Sequence, residues 1–143
     1  MEQFLIFLQK NPFNLLLFFT AVITGGMLIW PVINRLFRTG NEVSVLEAVQ
    51  LINRRDAVVI DVRDSGEYAA GHIGNARHIP EAQLAERTKE LEKFKTRPII
   101  ISCRTGGRAA HAGDVLRKHG FGEVFVLRGG IAAWQQSSMP LEK

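Results

Sequence analysis

Twenty-one consecutive residues, Phe13 to Ile33 (FNLLLFFTAVITGGMLIWPVI), carry no charged side chain and are dominated by Leu, Phe, Ile and Val. As a helix rising 1.5 Å per residue they would span about 31 Å, which matches the hydrocarbon core of a bilayer. A core of the size this chain can build seldom hides a helix that is apolar on every side, so the run predicts a single membrane span rather than a core helix. The residues before it (MEQFLIFLQKNP) are neither short nor strongly basic, and no small-x-small site precedes the polar region, which argues against a cleaved signal. Trp30 and Pro31 suit an interfacial boundary at the far end of the span. The division that follows is a tail over 1–12, a span over 13–33, a short joint over 34–42 and a domain over 43–143.

Beyond the joint two patterns alternate. Ser44-Val45-Leu46-Glu47 has the spacing of a capping box, and Leu46, Val49 and Leu51-Ile52 continue it as an amphipathic helix. Ala57 to Val62 (AVVIDV) is a short continuous apolar run, as expected of a strand buried on both faces. A brief strand is predicted over Ala76–Ile79. After Pro80, Leu84, Leu91 and Phe94 mark one face of a helix, and Pro98–Ser102 (PIIIS) reads as a second buried strand. Gly107–His119 is predicted helical, with Ala109, Ala112, Val115 and Leu116 on one face and Gly120 placed to end it. Val124–Leu127 is a further strand and Ile131–Gln135 a last helical turn. Strands alternating with helices predict an α/β domain, a mostly parallel sheet covered on both sides.

Charge adds a little. The net charge is +4, and the densest run, ERTKELEKFKTR over Glu86–Arg97, mixes both signs as a solvated helix face does, so no nucleic-acid footprint is read. Arg35 and Arg38 follow the span whereas Lys10 precedes it, which favours a cell-membrane protein with a cytoplasmic domain. Ala21 and Gly25 have a small-xxx-small spacing through which two spans could pair as a homodimer.

The chemistry concentrates at IIISCRTGGRAAH, residues 99–111, around the one cysteine of the chain. A single cysteine excludes an internal disulfide, and His78, His111 and His119 show no metal-ligand spacing, so neither a metal nor a cofactor is expected. Cys103 follows a strand and precedes a helix, where open α/β sheets bind ligands. Arg104, Thr105, Gly106, Gly107 and Arg108 complete a loop whose glycines permit tight curvature with backbone N–H groups turned inward. Electropositive sites at helix N-termini hold cysteines as thiolates and bind small oxyanions. The alternative, a small inert core cysteine, fits this setting poorly. Cysteine phosphatases carry Cys-x5-Arg, whereas here the spacing from Cys103 to Arg108 is Cys-x4-Arg, a shorter loop better suited to a sulfur atom than to a phosphoryl group.

These residues resemble the rhodanese, or thiosulfate sulfurtransferase, family over about Val43–Pro140. The likeness rests on VVIDVRDSGEYAAGHIGNARHIP (58–80), CRTGGRA (103–109) and VFVLRGGIAAW (124–134) in that order. It departs at His78, where many members have asparagine. The resemblance implies a parallel sheet between helices, and transfer of sulfur from a small sulfur-containing anion such as thiosulfate to a thiol or cyanide through a persulfide on Cys103. Arg104 and Arg108 would then attract the donor, Thr105 would donate a hydrogen bond, Asp61 would orient an arginine and Arg63 would reach the mouth of the site. His72 is expected to fasten its loop to backbone. A carrier or docking module beside a membrane protein is the second reading, and a cysteine phosphatase or arsenate reductase the third.

Overall fold

The computed structural model describes residues 11–37 and 41–143; residues 1–10 of the tail expected over 1–12, and the centre of the joint, 38–40, lie outside the described residues. Two compact units divide at Gly40 and Asn41.

The first unit is helix α1 (Pro12–Phe37), which opens on a proline whose missing N–H costs nothing at that position. Residues 12–30 of it are long and apolar enough to cross a membrane, with a mean hydropathy of 1.9 and none of that window buried. Met27 and Leu28 are 78% and 76% exposed. The hydroxyls of Thr20 and Thr24 donate to the carbonyls of Leu17 and Thr20 within the same helix, so neither is left without a partner in an apolar setting. The helix does not stop at the predicted boundary. It passes Pro31 and ends at Phe37, because one absent backbone donor removes a single ladder bond while the flanking turns remain.

The second unit runs β1 (Glu42–Val43), α2 (Val45–Arg55), β2 (Val58–Asp61), α3 (Ser65–Ala70), β3 (Arg77–His78), α4 (Glu81–Arg87) and a 3₁₀ segment (Thr88–Phe94). It continues with β4 (Ile99–Ser102), α5 (Gly107–Lys118), β5 (Val124–Leu127) and α6 (Gly130–Gln136). The five strands form one parallel sheet in the order β1-β5-β4-β2-β3. The capping box is present: the Ser44 N–H donates to Glu47 at 2.7 Å and the Glu47 N–H to the Ser44 hydroxyl at 3.3 Å. Three features escaped the sequence reading. These are β1, two residues long and paired with β5; the short α3; and the tightening of the predicted helix after Pro80 into 3₁₀ turns from Thr88.

Period-two alternation along the buried strands sorts their side chains into two layers. Val58, Ile60, Ile99, Ile101 and Cys103 pack with Leu84, Leu91 and Leu116 of α4, the 3₁₀ segment and α5. Val59, Ile100 and Leu127 pack on the other side with Ala48 of α2 and Ile131 and Trp134 of α6. Asp61 and Ser102, in register across β2 and β4, alternate onto this second side at the carboxyl end of the sheet.

Candidate active site

Cys103 is the first residue beyond β4 and is fully buried. Its Sγ receives the Gly106 N–H at 2.8 Å, a close approach for a sulfur acceptor. Gly106 permits this turn because it sits at φ +110°, in the left-handed region, immediately before α5. The loop is therefore curled onto its own sulfur by one backbone amide. The helix that follows adds the positive end of its dipole.

A second element holds the loop from behind. The Ile131 N–H donates to the Cys103 carbonyl at 2.9 Å and the Ala132 N–H to the Arg104 carbonyl at 3.3 Å, so the first free amides of α6 are spent on the cysteine loop. This close approach depends on Gly129 and Gly130, at φ +73° and +56°. A Cβ at Gly130 would overlap the Cys103 carbonyl oxygen and come within 2.7 Å of the Arg104 oxygen. The Gly-Gly pair near the carboxyl end thus supports the cysteine loop, a role that only the folded chain reveals.

The two loop arginines differ. Arg108 reaches away from the loop to α3, meeting Glu67 at 3.2 Å and Asp64 at 3.7 Å. The hydrogen bond to Glu67 raises the Arg108 pKa against a smaller opposing effect of burial, and the charges of Glu67, Asp64 and Cys103 add to the rise. For Glu67 burial acts upward, but the bonds from Arg108 and from the Asp64 N–H, with the charges of Arg108 and Arg63, bring the carboxyl below its ordinary value. Arg104 is exposed and, among the described residues, is in no ion pair. It lines a cleft of about 410 Å³ with Arg63, Glu67, Gln135 and Leu141. Thr105 and Gly107 lie exposed on the loop.

Asp61 and Arg63 form a buried pair with side chains 1% and 6% exposed. The guanidinium donates through Nε to both Asp61 oxygens, at 2.9 and 3.1 Å, and through Nη2 to Asp61 Oδ2 at 2.6 Å and to the Gly71 carbonyl at 2.7 Å. The pair closes the end of β2 against the turn after α3 while Arg63 still lines the cleft. Breaking one side of such a pair leaves a charge stranded. Asp61→Asn is expected to lower domain stability by about 2–4 kcal/mol, measured by urea unfolding against the wild type. The buried Ser102 hydroxyl beside Asp61 has no hydrogen-bond partner among the described residues.

His72 and His78 stack on opposite faces of Tyr68, with ring centroids 3.8 and 4.5 Å away. His72 Nδ1 lies 3.0 Å from the Tyr68 carbonyl and His78 Nε2 lies 2.8 Å from the Arg63 carbonyl. A carbonyl only accepts, so each of these ring nitrogens carries the hydrogen. His78 therefore braces the backbone of the arginine that borders the cleft. Glu67, Asp64 and Gln135 were missed in the sequence. For Glu67 a signal existed, since Asp64-x-x-Glu67 is itself a capping box.

A family model described as a rhodanese-like domain matches residues 44–137. The chain is 40% identical over 96 residues to an uncharacterized Escherichia coli K12 protein, YibN, covering 66% of this chain and 67% of the relative. It is 37% identical over 94 residues to the thiosulfate sulfurtransferase GlpE of Coxiella burnetii, covering 66% of this chain and 86% of that one. A crystal structure of a rhodanese-related protein from Thermoplasma volcanium superimposes with a TM-score of 0.65 at 27% identity, over 71% of this chain and 97% of the other.

Proposed function

The chain belongs to the rhodanese-like domain family, and on that premise we propose that it is a membrane-anchored sulfurtransferase working through a persulfide on Cys103. The observation that carries the reading is the cysteine loop itself: Sγ meets the Gly106 amide, and the loop carbonyls are held by α6. The Cys103 thiolate attacks the outer sulfur of thiosulfate, the S–S bond of the donor breaks, and sulfite leaves with the bonding pair. A cysteine persulfide remains. Cyanide or an acceptor thiolate then takes the outer sulfur and returns the Cys103 thiolate, so no external reductant is consumed. The Gly106 amide stabilises negative charge on either sulfur species, and Arg104 supplies the cation that draws an anionic donor into the cleft.

Arg108 contributes differently from Arg104, since Glu67 and Asp64 already neutralise it. It positions the start of α5 against α3. Glu67→Gln removes a negative charge from the wall of the cleft, and for a partly exposed site this is expected to lower KM for thiosulfate about two- to fivefold with little change in kcat. The tether follows the usual carboxylate sign. Because the folded Glu67 pKa lies below its unfolded value, its contribution is complete above the unfolded pKa and is lost as pH falls through the folded one.

The apolar run 13–33 supports a single-span anchor, and Arg35 and Arg38 after it favour a cytoplasmic domain. The deciding experiment treats the purified protein with thiosulfate, looks for the mass of one added sulfur atom on Cys103, and measures thiocyanate after cyanide is supplied. Absence of both, with the protein folded, would favour a docking module. Release of phosphate from an aryl ester would favour a phosphatase.

A further inference from the structure

In an all-parallel sheet the residues that precede strands share one end, and those that follow strands share the other. Cys103 and its cleft occupy the carboxyl end. The amino end is rich in cations, among them Arg54 and Arg55 in the last turn of α2, Arg77 opening β3, and Lys93, Lys95 and Arg97 before β4. Asp56, Glu90, Glu92 and Glu123 are carboxylates beside them; Glu90, held low mainly by its bond from Arg87, also feels the Arg77 charge. Three of these groups gather on one ring. The Arg77, Lys93 and Arg97 cations lie 4.6, 5.1 and 5.3 Å from the centre of the Phe94 ring, Arg97 donates to the Asp56 carbonyl at 2.7 Å, and Arg55 meets Glu123 at 2.7 Å. Arg54, Arg77 and Lys93 are exposed and, among the described residues, in no ion pair. Around the cysteine the balance is even, with Arg63, Arg104 and Arg108 facing Asp61, Asp64 and Glu67.

We propose that the amino end of the sheet docks on an anionic phospholipid surface. The inference rests on the membrane-anchor reading above, and the positive charge of this end with the short joint to α1 selects this partner. Only four residues separate Glu42 from Phe37, a reach of about 17 Å at most, so an anchored chain holds this domain close to the headgroups. Clustered cations next to a span are what an anionic leaflet attracts. A nucleic acid fits less well: the aromatic ring that these cations surround is itself covered, 8% exposed, and offers no face for a base to stack on.

The domain has two core layers of its own, and its fold accounts for 97% of the Thermoplasma volcanium chain, so residues 41–143 are tested alone. They are sedimented with vesicles of phosphatidylcholine, and with vesicles in which about a quarter of the lipid is phosphatidylglycerol. Binding is expected to the anionic vesicles only, and to vanish when salt rises from about 0.1 to about 0.5 M. Combining Arg54→Gln, Arg77→Gln and Lys93→Gln is expected to weaken it on the order of 100-fold, about fivefold per charge, with thiocyanate turnover unchanged. Equal binding to both lipids, or tighter binding to a single-stranded RNA than to the anionic vesicles, would overturn the proposal, as would indifference of a folded triple variant. If that variant does not fold, the lipid selectivity and salt dependence of the wild-type domain decide. The anchor reading is scored separately, by whether the full chain floats with phosphatidylcholine vesicles at about 0.5 M salt.

Discussion

Cys103→Ser is expected to reduce thiocyanate formation from thiosulfate and cyanide on the order of 10⁴-fold or more, because the lost group is the nucleophile itself. A serine hydroxyl is almost wholly protonated at neutral pH, and its oxygen cannot hold the transferred sulfur as a persulfide does. The rest of the site should survive the change. Serine is close to cysteine in size, and its oxygen can accept the Gly106 N–H that now meets Sγ at 2.8 Å. The same variant is therefore expected to melt within a few degrees of the wild type, which separates lost chemistry from lost folding. Turnover by the serine protein near the wild-type rate would refute the persulfide route.

Gly130→Ala is expected to be the most damaging single methyl group in the domain. Gly130 adopts φ +56°, which costs a residue with a Cβ about 1–2 kcal/mol. The added Cβ also collides with the Cys103 carbonyl oxygen and approaches the Arg104 oxygen to 2.7 Å, and both atoms are backbone, which cannot swing aside as a long side chain would. Relief requires α6 and the cysteine loop to move apart, giving up the bonds from Ile131 and Ala132. Strain, overpacking and the lost bonds together are expected to cost about 3–6 kcal/mol. Any folded fraction should be at least about 10²-fold less active, since a displacement near 1 Å suffices to misplace a nucleophile. Denaturant unfolding and turnover per folded molecule measure the two effects. A variant as stable and active as the wild type would show that α6 does not hold the loop.

Much of the fold was legible because local periodicity determined it. The apolar runs 57–62, 98–102 and 124–127 became β2, β4 and β5 within a residue or two, and the stripe after Gly107 became α5. Continuous apolar runs bounded by turn residues have few alternatives when both faces must be buried. β1 was invisible for the opposite reason. Two residues hold no periodicity, and Glu42–Val43 becomes a strand only because β5 presents an unpaired edge beside it.

The site divides along the same line. That a cysteine lies between a strand and a helix, with four residues between it and Arg108, is a statement about spacing, so the sequence by itself determined the loop and the family and singled out Cys103 as the candidate nucleophile. Which arginine remains available was decided by tertiary structure. Arg104 and Arg108 are alike in sequence, yet Arg108 is taken by carboxylates of α3, 41 residues away along the chain at Glu67, while Arg104 faces the cleft. The hold of α6 on the loop and the gathering of cations at the amino end of the sheet were decided in the same way. A flexible guanidinium or a free amide satisfies whatever acceptor the fold brings within about 3 Å, and short-range spacing does not contain that distance.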